Sequence, residues 1–349
     1  MLKVNQSSIS LKQFNTFGVE ATANNFVQVH SEQELQNWIK QNNACDKPLC
    51  HEELFVLGGG SNLLLLDHIN KTFLQADILG ICYQEKDDEV LVTAGAGVNW
   101  HQLVLDSLEQ GYSGLENLSL IPGNVGASPI QNIGAYGVEL KDLFVELRAV
   151  NLQTGQVKTF NHADCQFAYR DSIFKNQLRG QYVISFVTLR LQKASQELQL
   201  DYGAIQQELS ELDNPTAQDV SNAVVRIRSS KLPDPQVLGN AGSFFKNPVV
   251  SCEQFDSLKD QYPNMVAYPI SQFEVKLAAG WLIEHAGLKG YRQGDAGVHD
   301  KQALVLVNHG KATGRQLLEL AKHVQQTVFN KFAVTLEPEV WIIGEQDLF

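Results

Sequence analysis

The sequence predicts an α+β protein of two or three domains. The chain has 349 residues, enough for more than one core, and its 44% hydrophobic and 19% charged residues are typical of a globular protein. Short β-rich runs at 90–93, 144–150 and 183–191 alternate with helical signals. A central glycine-rich stretch interrupts them, and this arrangement suits an α+β domain.

Several helices are predicted from capping signals followed by apolar residues at helical spacing. Leu277, Ala278, Trp281, Leu282 and His285 have helical spacing without such a cap, and they favour a helix with a core-facing side. The closing Leu336-Glu337-Pro338-Glu339-Val340-Trp341-Ile342-Ile343-Gly344 is predicted to be a strand with two carboxylates. The capped helices begin at Ser31 with Glu34, Asn99 with Gln102, Thr216 after Asp213-Asn214-Pro215, and Thr313 with Gln316.

Two glycine-rich stretches are candidate ligand-binding loops. Leu115 to Gly137 reads LENLSLIPGNVGASPIQNIGAYG, and Leu57 to Asn62 reads LGGGSN. Because an interior glycine costs about 1 kcal/mol in a helix or strand, neither stretch is regular structure. Such backbone brings N–H groups toward an anion or a flat heterocycle, and two loops suggest a pyrophosphate. For GGGSN alone a tight surface turn remains an alternative, and neither a GxGxxG nor a P-loop is present.

Charge and composition narrow the class of protein. The net charge of -12 argues against nonspecific nucleic-acid binding, which relies on clustered Lys and Arg. No apolar run reaches the roughly 18 residues of a membrane helix, and the N-terminus lacks a signal-peptide core, so a cytoplasmic protein is expected. The five cysteines are scattered, and Cys45, Cys50 and His51 have no familiar zinc spacing, so no metal is predicted.

Three further groups of residues carry chemistry. Arg170 in YRDS is flanked by Tyr, Asp and Ser, which suits a buried ion pair that holds a turn. Arg226, Arg228 and Lys231 form either a local anion site or a solvated helix end. Ser243 lies beside Phe244 and Phe245 without a neighbouring histidine or GxSxG elbow, which favours a proton donor over a nucleophile.

These motifs, in this order, resemble a known family. NTFG at Asn15–Gly18, the two glycine stretches, YRDSIFK, GNAGSFFKNP and LEPEV are similar to the signatures of the UDP-N-acetylenolpyruvoylglucosamine reductase (MurB, type I) family, which has the vanillyl-alcohol-oxidase (PCMH) type FAD fold. The resemblance spans 15–344. It implies a two-part FAD-binding domain, with subdomain 1 at 1–77 plus 330–349 and subdomain 2 at 78–228, and a substrate-binding domain at 229–329. The C-terminal strand is expected to return to the FAD part.

The resemblance also implies roles for individual residues. Arg170, Ser243 and Glu339 would be catalytic, and Tyr202, Lys231 and Asn247 would bind the sugar nucleotide. The implied FAD-binding residues are Asn15, Thr16, Gly58, Gly59, Gly60, Ser61, Asn62, Pro122, Gly123, Asn124, Val125, Gly126, Ala127, Gly134, Ala135, Tyr136 and Ile184.

The implied reaction is NADPH-dependent reduction of the enolpyruvyl ether of UDP-N-acetylglucosamine to UDP-N-acetylmuramate, in peptidoglycan precursor synthesis for cell-wall biogenesis, cell shape and division. FAD would be noncovalent, because GGGSN lacks the histidine of covalent members of the fold. The hydride would go to C3 and a proton from Ser243 to C2, while Arg170 and Glu339 stabilise the developing charge. One departure is Trp341, where the family commonly has arginine.

Two other functions are also compatible with the sequence. A flavin oxidase of the same fold would pass electrons to oxygen instead. A catalytically inactive UDP-sugar sensor would keep the fold, and Trp341 leaves that reading open, although Arg170, Ser243 and Glu339 speak against it. We expect a monomer that uses NADPH and the sugar nucleotide as its partners.

Overall fold

The computed structural model describes residues 8–43, 53–87, 89–193 and 198–344. Cys45, Cys50 and His51 lie outside the described residues. The helices are α1 (Glu32–Asn43), α2 (Trp100–Glu109), α3 (Leu140–Leu143), α4 (His162–Cys165), α5 (Gly203–Glu208), α6 (Ala217–Lys231), α7 (Cys252–Gln261), α8 (Ala279–His285) and α9 (Gly314–Phe332).

The strands come from both halves of the chain. They are β1 (Ile9–Ser10), β2 (Thr22–Val29), β3 (Leu54–Leu57), β4 (Leu63–Leu65), β5 (His68–Ala76), β6 (Ile81–Lys86), β7 (Glu89–Gly95), β8 (Gly134–Ala135), β9 (Val138–Glu139), β10 (Phe144–Asn151), β11 (Val157–Asn161), β12 (Tyr182–Gln192), β13 (Gly239–Ser243), β14 (Val249–Ser251), β15 (Ala267–Pro269), β16 (Glu274–Leu277), β17 (Arg292–Gln293), β18 (Ala296–Val298), β19 (Val305–Asn308) and β20 (Trp341–Ile343).

The chain divides into two compact units. The first unit comprises 1–9, 24–59 and 71–230, and the second comprises 10–23, 60–70 and 231–349. The division after residue 230 lies close to the predicted domain boundary at 228/229. The predicted three-part division itself stays a prediction.

An antiparallel five-stranded sheet in the order β11-β10-β12-β7-β6 dominates the first unit. Helix α2 packs Trp100, Leu103 and Val104 into the core beside this sheet, together with apolar residues of the central glycine stretch such as Val125. Strand β12 buries Val183, Ile184, Val187, Leu189 and Leu191, so most of its apolar residues belong to the core. The core holds the central glycine stretch in place.

A second sheet, in the order β1-β2-β5-β3, contains the strand that leads into GGGSN. Strand β3 runs parallel to β5, and α1 packs Leu35, Trp38 and Ile39 into the core cluster that includes Leu54. This is the predicted strand–helix–strand unit with a glycine loop at the end of its second strand. The Ser31 hydroxyl accepts a hydrogen bond from the Glu34 amide at 3.2 Å, as the capping signal predicted.

The second unit is built from small sheets and three helices. Its sheets have the orders β13-β19-β18-β17 and β14-β16-β15, and β20 pairs in parallel with β4. Helix α9 begins at a reciprocal capping box of Thr313 and Gln316 and buries Leu317, Leu320 and Val324. The predicted last helix is therefore confirmed.

Two element predictions in this unit were wrong in part. Leu277 is the last residue of strand β16, opposite Ala267, and Ala278 caps α8, so the helix begins later than the spacing indicated. His285 is exposed, with its ring stacked on Trp281 at 3.7 Å. The closing strand covers only Trp341–Ile343, because Pro338 makes a single bridge to Phe245 and cannot continue a ladder.

None of the helices in the described ranges has both the length and the apolar character required to cross a lipid bilayer.

Candidate active site

The two predicted glycine loops meet in the first unit. A Cβ on Gly59 would lie 2.8 Å from Cα of Gly123 and 3.0 Å from Oδ1 of Asn124, and one on Gly58 would lie 3.1 Å from Cβ of Ala127. A Cβ on Gly126 would lie 2.5 Å from Cβ of Ala96. Glycine at these positions therefore allows a closeness of packing that a side chain would prevent. Residues 58–59 and 123–127, which are more than sixty positions apart in the sequence, form one cradle.

The end of the central stretch forms a tight hairpin. Strands β8 and β9 pair around Tyr136 and Gly137, whose φ angles of 51° and 85° are both positive, as in a type I′ turn. The Asn117 amide nitrogen donates to the Tyr136 carbonyl at 3.0 Å. Tyr136, a predicted cofactor-binding residue, is thus held in a left-handed backbone conformation beside Asn117.

Arg170 is anchored to this hairpin. Its Nη2 donates to the carbonyl of Gly134 at 2.8 Å, and its own carbonyl accepts from Nζ of Lys175 at 3.0 Å. Its φ of 54° is left-handed, and Ala168 and Asp171 exchange backbone hydrogen bonds around it. Strained backbone of this kind is concentrated at functional sites. The structure thus brings together YRDS and the central glycine stretch.

Buried Asn132 makes the second link between the same two segments. Its Nδ2 donates to the carbonyl of Ala168 and to the carboxylate of Glu139, both at 3.0 Å, while its Oδ1 accepts from the amide of Lys141. Both polar atoms of this side chain are therefore hydrogen-bonded within this region. The loop that carries Arg170 is held by two contacts, from Asn132 to Ala168 and from Arg170 to Gly134.

Arg228, one of the three neighbouring cations on α6, is partly buried, and its Nε is fully buried. Burial lowers its pKa, a hydrogen bond to Tyr136 opposes this, and the charge of Arg170 adds to the lowering. Within the described residues its Nε has no hydrogen-bond partner. Arg226, by contrast, is exposed and pairs with Glu208 at 2.8 Å. Arg226 and Arg228 therefore differ in exposure and in partners, and an anion site formed by all three cations stays a prediction. Arg228 lies four residues after buried Val224, and this helical spacing could have identified it.

Tyr202 lies close to the same residues. It precedes α5, and its ring contacts that of Tyr136 edge-on with centroids 5.1 Å apart. The ring is about half exposed. The first unit therefore gathers Tyr136, Arg170, Tyr202 and Arg228 around the central glycine stretch.

Ile184 and Val125, both predicted to contact the flavin, are buried in the apolar core of the first unit. Ile184 lies in β12 opposite Ala149, and Val125 donates its amide to the carbonyl of Val98 at 2.8 Å. Their contact with a flavin stays a prediction.

In the second unit, the NTFG segment is tied to Gly60. The amide and hydroxyl of Thr16 both donate to the carbonyl of Gly60, at 3.1 and 3.4 Å, and its own carbonyl accepts from Asn240. Gly60 has a φ of 66°, and a Cβ there would overlap the carbonyl of Phe14 at 2.0 Å. The side-chain Nδ2 of buried Asn15 donates to the carbonyls of Leu11, Lys12 and Val19, and its Oδ1 accepts from the amide of Val19. This side chain therefore stabilises its own turn.

Ser243 stands at an irregular end of strand β13. The pairing with β19 shifts register between Asn240 and Ser243, where Gly242 has a φ of 69° and donates its amide to Oδ1 of Asn240. Such a bulge redirects the side chain that follows it. Ser243 is partly exposed although Phe244 and Phe245 after it are fully buried.

Glu339 is held next to the segment that carries Ser243. Its amide donates to the carbonyl of Phe244 at 2.8 Å, and its carbonyl accepts from Nδ2 of Asn62 at 3.1 Å. The carbonyl of Asn62 accepts in turn from the amide of Trp341 at 3.0 Å. The second unit therefore brings together GGGSN, GNAGSFFKNP and LEPEV.

The predicted substrate residues Lys231 and Asn247 also lie in the second unit. Oδ1 of Asn247 accepts from the amide of Ala279 at 2.9 Å and so caps the start of α8, which leaves its amide nitrogen for another partner. Lys231 is the exposed last residue of α6. Both positions agree with a surface role, and neither tests substrate binding.

Comparison with known proteins agrees with this arrangement. An FAD binding domain model matches residues 23–161, and the model of the UDP-N-acetylenolpyruvoylglucosamine reductase C-terminal domain matches residues 234–343. Curated proteins named UDP-N-acetylenolpyruvoylglucosamine reductase include one from Flavobacterium johnsoniae, 50% identical over 97% of this chain and 99% of its own. Another, from Pseudomonas fluorescens strain Pf-5, is 52% identical over 96% of this chain and 97% of its own.

A solved structure supports the fold. The crystal structure of UDP-N-acetylenolpyruvylglucosamine reductase (MurB) from Thermus caldophilus aligns with a TM-score of 0.68 over 99% of this chain and 100% of its own, at 24% identity. Together with the FAD binding domain match, it confirms the predicted α+β fold with an FAD-binding part. The two family-model matches and the full-length relatives place the chain in the UDP-N-acetylenolpyruvoylglucosamine reductase family.

Proposed function

We propose that this chain reduces the enolpyruvyl ether of UDP-N-acetylglucosamine to UDP-N-acetylmuramate, with NADPH as hydride donor, in the cytoplasm. The observation that carries the proposal is the assembly of Ser243 and Glu339 by adjoining backbone segments in a chain that is 50% identical to reductases of that name. Arg170, Ser243 and Glu339 are the residues proposed to perform the chemistry.

The residues of the chain fit an FAD cofactor. Gly58, Gly59 and Gly123 carry no side chain, which lets a diphosphate approach the main chain of the cradle closely. The N–H groups of the cradle at 125–127 already bond the carbonyls of Val98, Ala96 and Asn124, so the diphosphate would bind to the other N–H groups. Arg228 supplies a cation in the same unit, and its buried Nε, which has no partner among the described residues, would be satisfied by an anionic or polar ligand group. Bound FAD would supply the hydride chemistry, from NADPH to C3 of the enolpyruvyl group.

Ser243 would donate the proton to C2. This proton transfer is favourable even though it leaves a serine alkoxide, because a carbanion-like C2 is a stronger base than that alkoxide. Arg170 would stabilise the negative charge that develops on C2 and the neighbouring carboxylate, since its guanidinium is oriented in advance by Gly134. Glu339 would support the same stabilisation, either by orienting Arg170 or in its own protonated form. Tyr202, Lys231 and Asn247 are proposed to bind the sugar nucleotide, with Lys231 at the pyrophosphate.

The decisive experiment is anaerobic stopped-flow absorbance at the flavin band with wild type and Ser243→Ala. The wild type is expected to be yellow, to bleach with NADPH and to recolour with UDP-N-acetylenolpyruvoylglucosamine. Ser243→Ala should bleach at the wild-type rate but recolour about 100- to 10,000-fold more slowly, the usual contribution of a general acid. Ser257→Ala, at an exposed position of α7, is the matched control and should behave as wild type.

The outcomes separate the parts of the proposal. A colourless protein, or a reduced flavin that does not respond to the sugar nucleotide, would overturn the function. Rapid recolouring by oxygen alone would point to an oxidase. If Ser243→Ala recolours like wild type, only the acid role is lost.

A further inference from the structure

The first turn of helix α2 fastens the central glycine stretch at several points. The indole Nε1 of Trp100 donates to the carbonyl of Leu118, and the backbone amide of Trp100 donates to the carbonyl of Gly123, both at 3.0 Å. Between them, Nδ1 of His101 accepts from the amide of Leu120 at 3.0 Å. These bonds hold the residues that lead into Pro122–Gly126, so the start of α2 fixes the conformation of this loop.

Leu120 is the point of this loop that most needs support. Its φ of 57° is left-handed, which costs a non-glycine residue of order 1 kcal/mol or more. Ile121 and Pro122 follow directly, so the direction in which the chain enters the glycine cradle depends on the Leu120 conformation. The bond to His101 holds its N–H in that conformation.

The bond requires one particular form of the histidine. Because the Leu120 N–H donates, Nδ1 of His101 must carry a lone pair, and the neutral ring has its proton on Nε2. Protonation at Nδ1 would place two N–H groups against each other. The other bonds between α2 and the loop involve backbone groups and an indole, which do not titrate, so His101 is the titratable part of this contact.

The charged groups around His101 favour its neutral form. Burial lowers its pKa below the ordinary 6.5, and the charge of Arg228 on α6 lowers it further. Glu116, on the 3₁₀ turn packed against α2, binds the amide of Gly114, and Asp106 farther along α2 binds the hydroxyl of Tyr83 at 2.6 Å. These carboxylates are therefore engaged elsewhere.

We propose that His101 is a positioning residue for the FAD site: its neutral ring keeps the Leu120–Gly126 segment in the shape that receives the cofactor diphosphate, and protonation releases that segment. The proposal rests on the proposed function, because it takes Pro122–Gly126 as a cofactor loop. His101 itself need not touch FAD. Its effect passes through Leu120.

The sign of the pH effect follows from the direction of the pKa shift. A base whose pKa is lower in the folded protein takes up its proton more readily in the unfolded chain. The stabilisation by this bond is therefore complete above pH 6.5 and is lost as the pH falls through the folded pKa. FAD affinity should fall in the same direction, because only the neutral form holds the loop.

The test is FAD titration of the apoprotein by quenching of flavin fluorescence, from pH 8.0 to pH 5.0. Wild type is expected to bind FAD about five- to tenfold more weakly at the acid end, the effect of one lost hydrogen bond. His101→Asn places an amide oxygen where Nδ1 lies, and it should keep most of the affinity at pH 8.0 and show little change with pH. His101→Leu should be weak at every pH.

A second histidine of the same unit provides the control for this experiment. His30→Asn removes an exposed histidine of the same unit and should keep the wild-type pH dependence, and circular dichroism checks that each variant is folded. A flat wild-type profile, or a His101→Asn profile that matches wild type, would overturn the positioning role and leave the proposed function intact. If wild type fails to bind FAD at any pH, the proposed function itself is wrong. Should His101→Leu not fold, wild type and His101→Asn still decide the question.

Discussion

Arg170, the residue proposed to stabilise the developing negative charge, is held by several hydrogen bonds of its own segment and of the neighbouring hairpin. Its guanidinium is tied to the Gly134 carbonyl, its backbone is left-handed, and its carbonyl is held by Lys175. A side chain that is already oriented loses less entropy when it meets a developing negative charge.

At the same scale, Gly59 is predicted to tolerate no side chain. Gly59→Ala brings a Cβ to 2.8 Å from the backbone of Gly123, which cannot move like a flexible side chain. We expect a loss of about 1–3 kcal/mol in the free energy of unfolding, typical of overpacking, together with poor FAD retention. Urea unfolding and the flavin-to-protein absorbance ratio measure the two effects.

Gly203→Ala is the matched control for this substitution. Gly203 begins α5, has no neighbour within 4 Å of an added Cβ, and does not have a positive φ. This variant should be as stable as wild type or more stable, by up to about 1 kcal/mol. Equal behaviour of the two variants would show that the two glycine loops are not packed as described.

At the scale of elements, the start of α9 was predictable because its signal is local. Thr313 and Gln316 are three residues apart, and the amide of Gln316 donates to the Thr313 hydroxyl at 3.2 Å. Strand β16 shows the opposite case. Leu277 fits a helical spacing, but pairing with β14 and β15 makes it the end of a strand. Pairing partners distant in sequence outweigh a weak local preference.

In helix α9, the contribution of the N-cap residue Thr313 to the free energy of unfolding can be measured directly. Thr313→Ala removes the acceptor for the Gln316 amide and should lower the free energy of unfolding by about 1 kcal/mol, with FAD content unchanged. Thr327→Ala in the same helix, where the hydroxyl bonds the His323 carbonyl, should be neutral or slightly stabilising, because alanine is the better helix former. Urea unfolding followed by circular dichroism distinguishes them, and equal losses would contradict the capping account.

At the scale of the molecule, cofactor binding should stabilise the fold by mass action. A ligand that binds only the folded protein contributes RT ln(1 + [L]/Kd), or about 2.7 kcal/mol at 100 times Kd. We expect the thermal midpoint of the apoprotein to rise steadily with FAD concentration and much less with riboflavin, which lacks the diphosphate and adenosine. Differential scanning fluorimetry measures this at pH 8.0. An equal rise with riboflavin would remove the argument for a diphosphate cradle.

The sequence by itself determined the local features of this protein: the glycine loops, the capped helices, the long strand β12 and the motifs that indicate the family. Each depends on residues close together in the chain. Only the tertiary structure decided that Arg226 pairs with Glu208 while the Nε of Arg228 is buried, and that His101 holds Leu120 nineteen positions away. Burial and long-range hydrogen bonds depend on which elements pack together, and composition and spacing do not encode that directly.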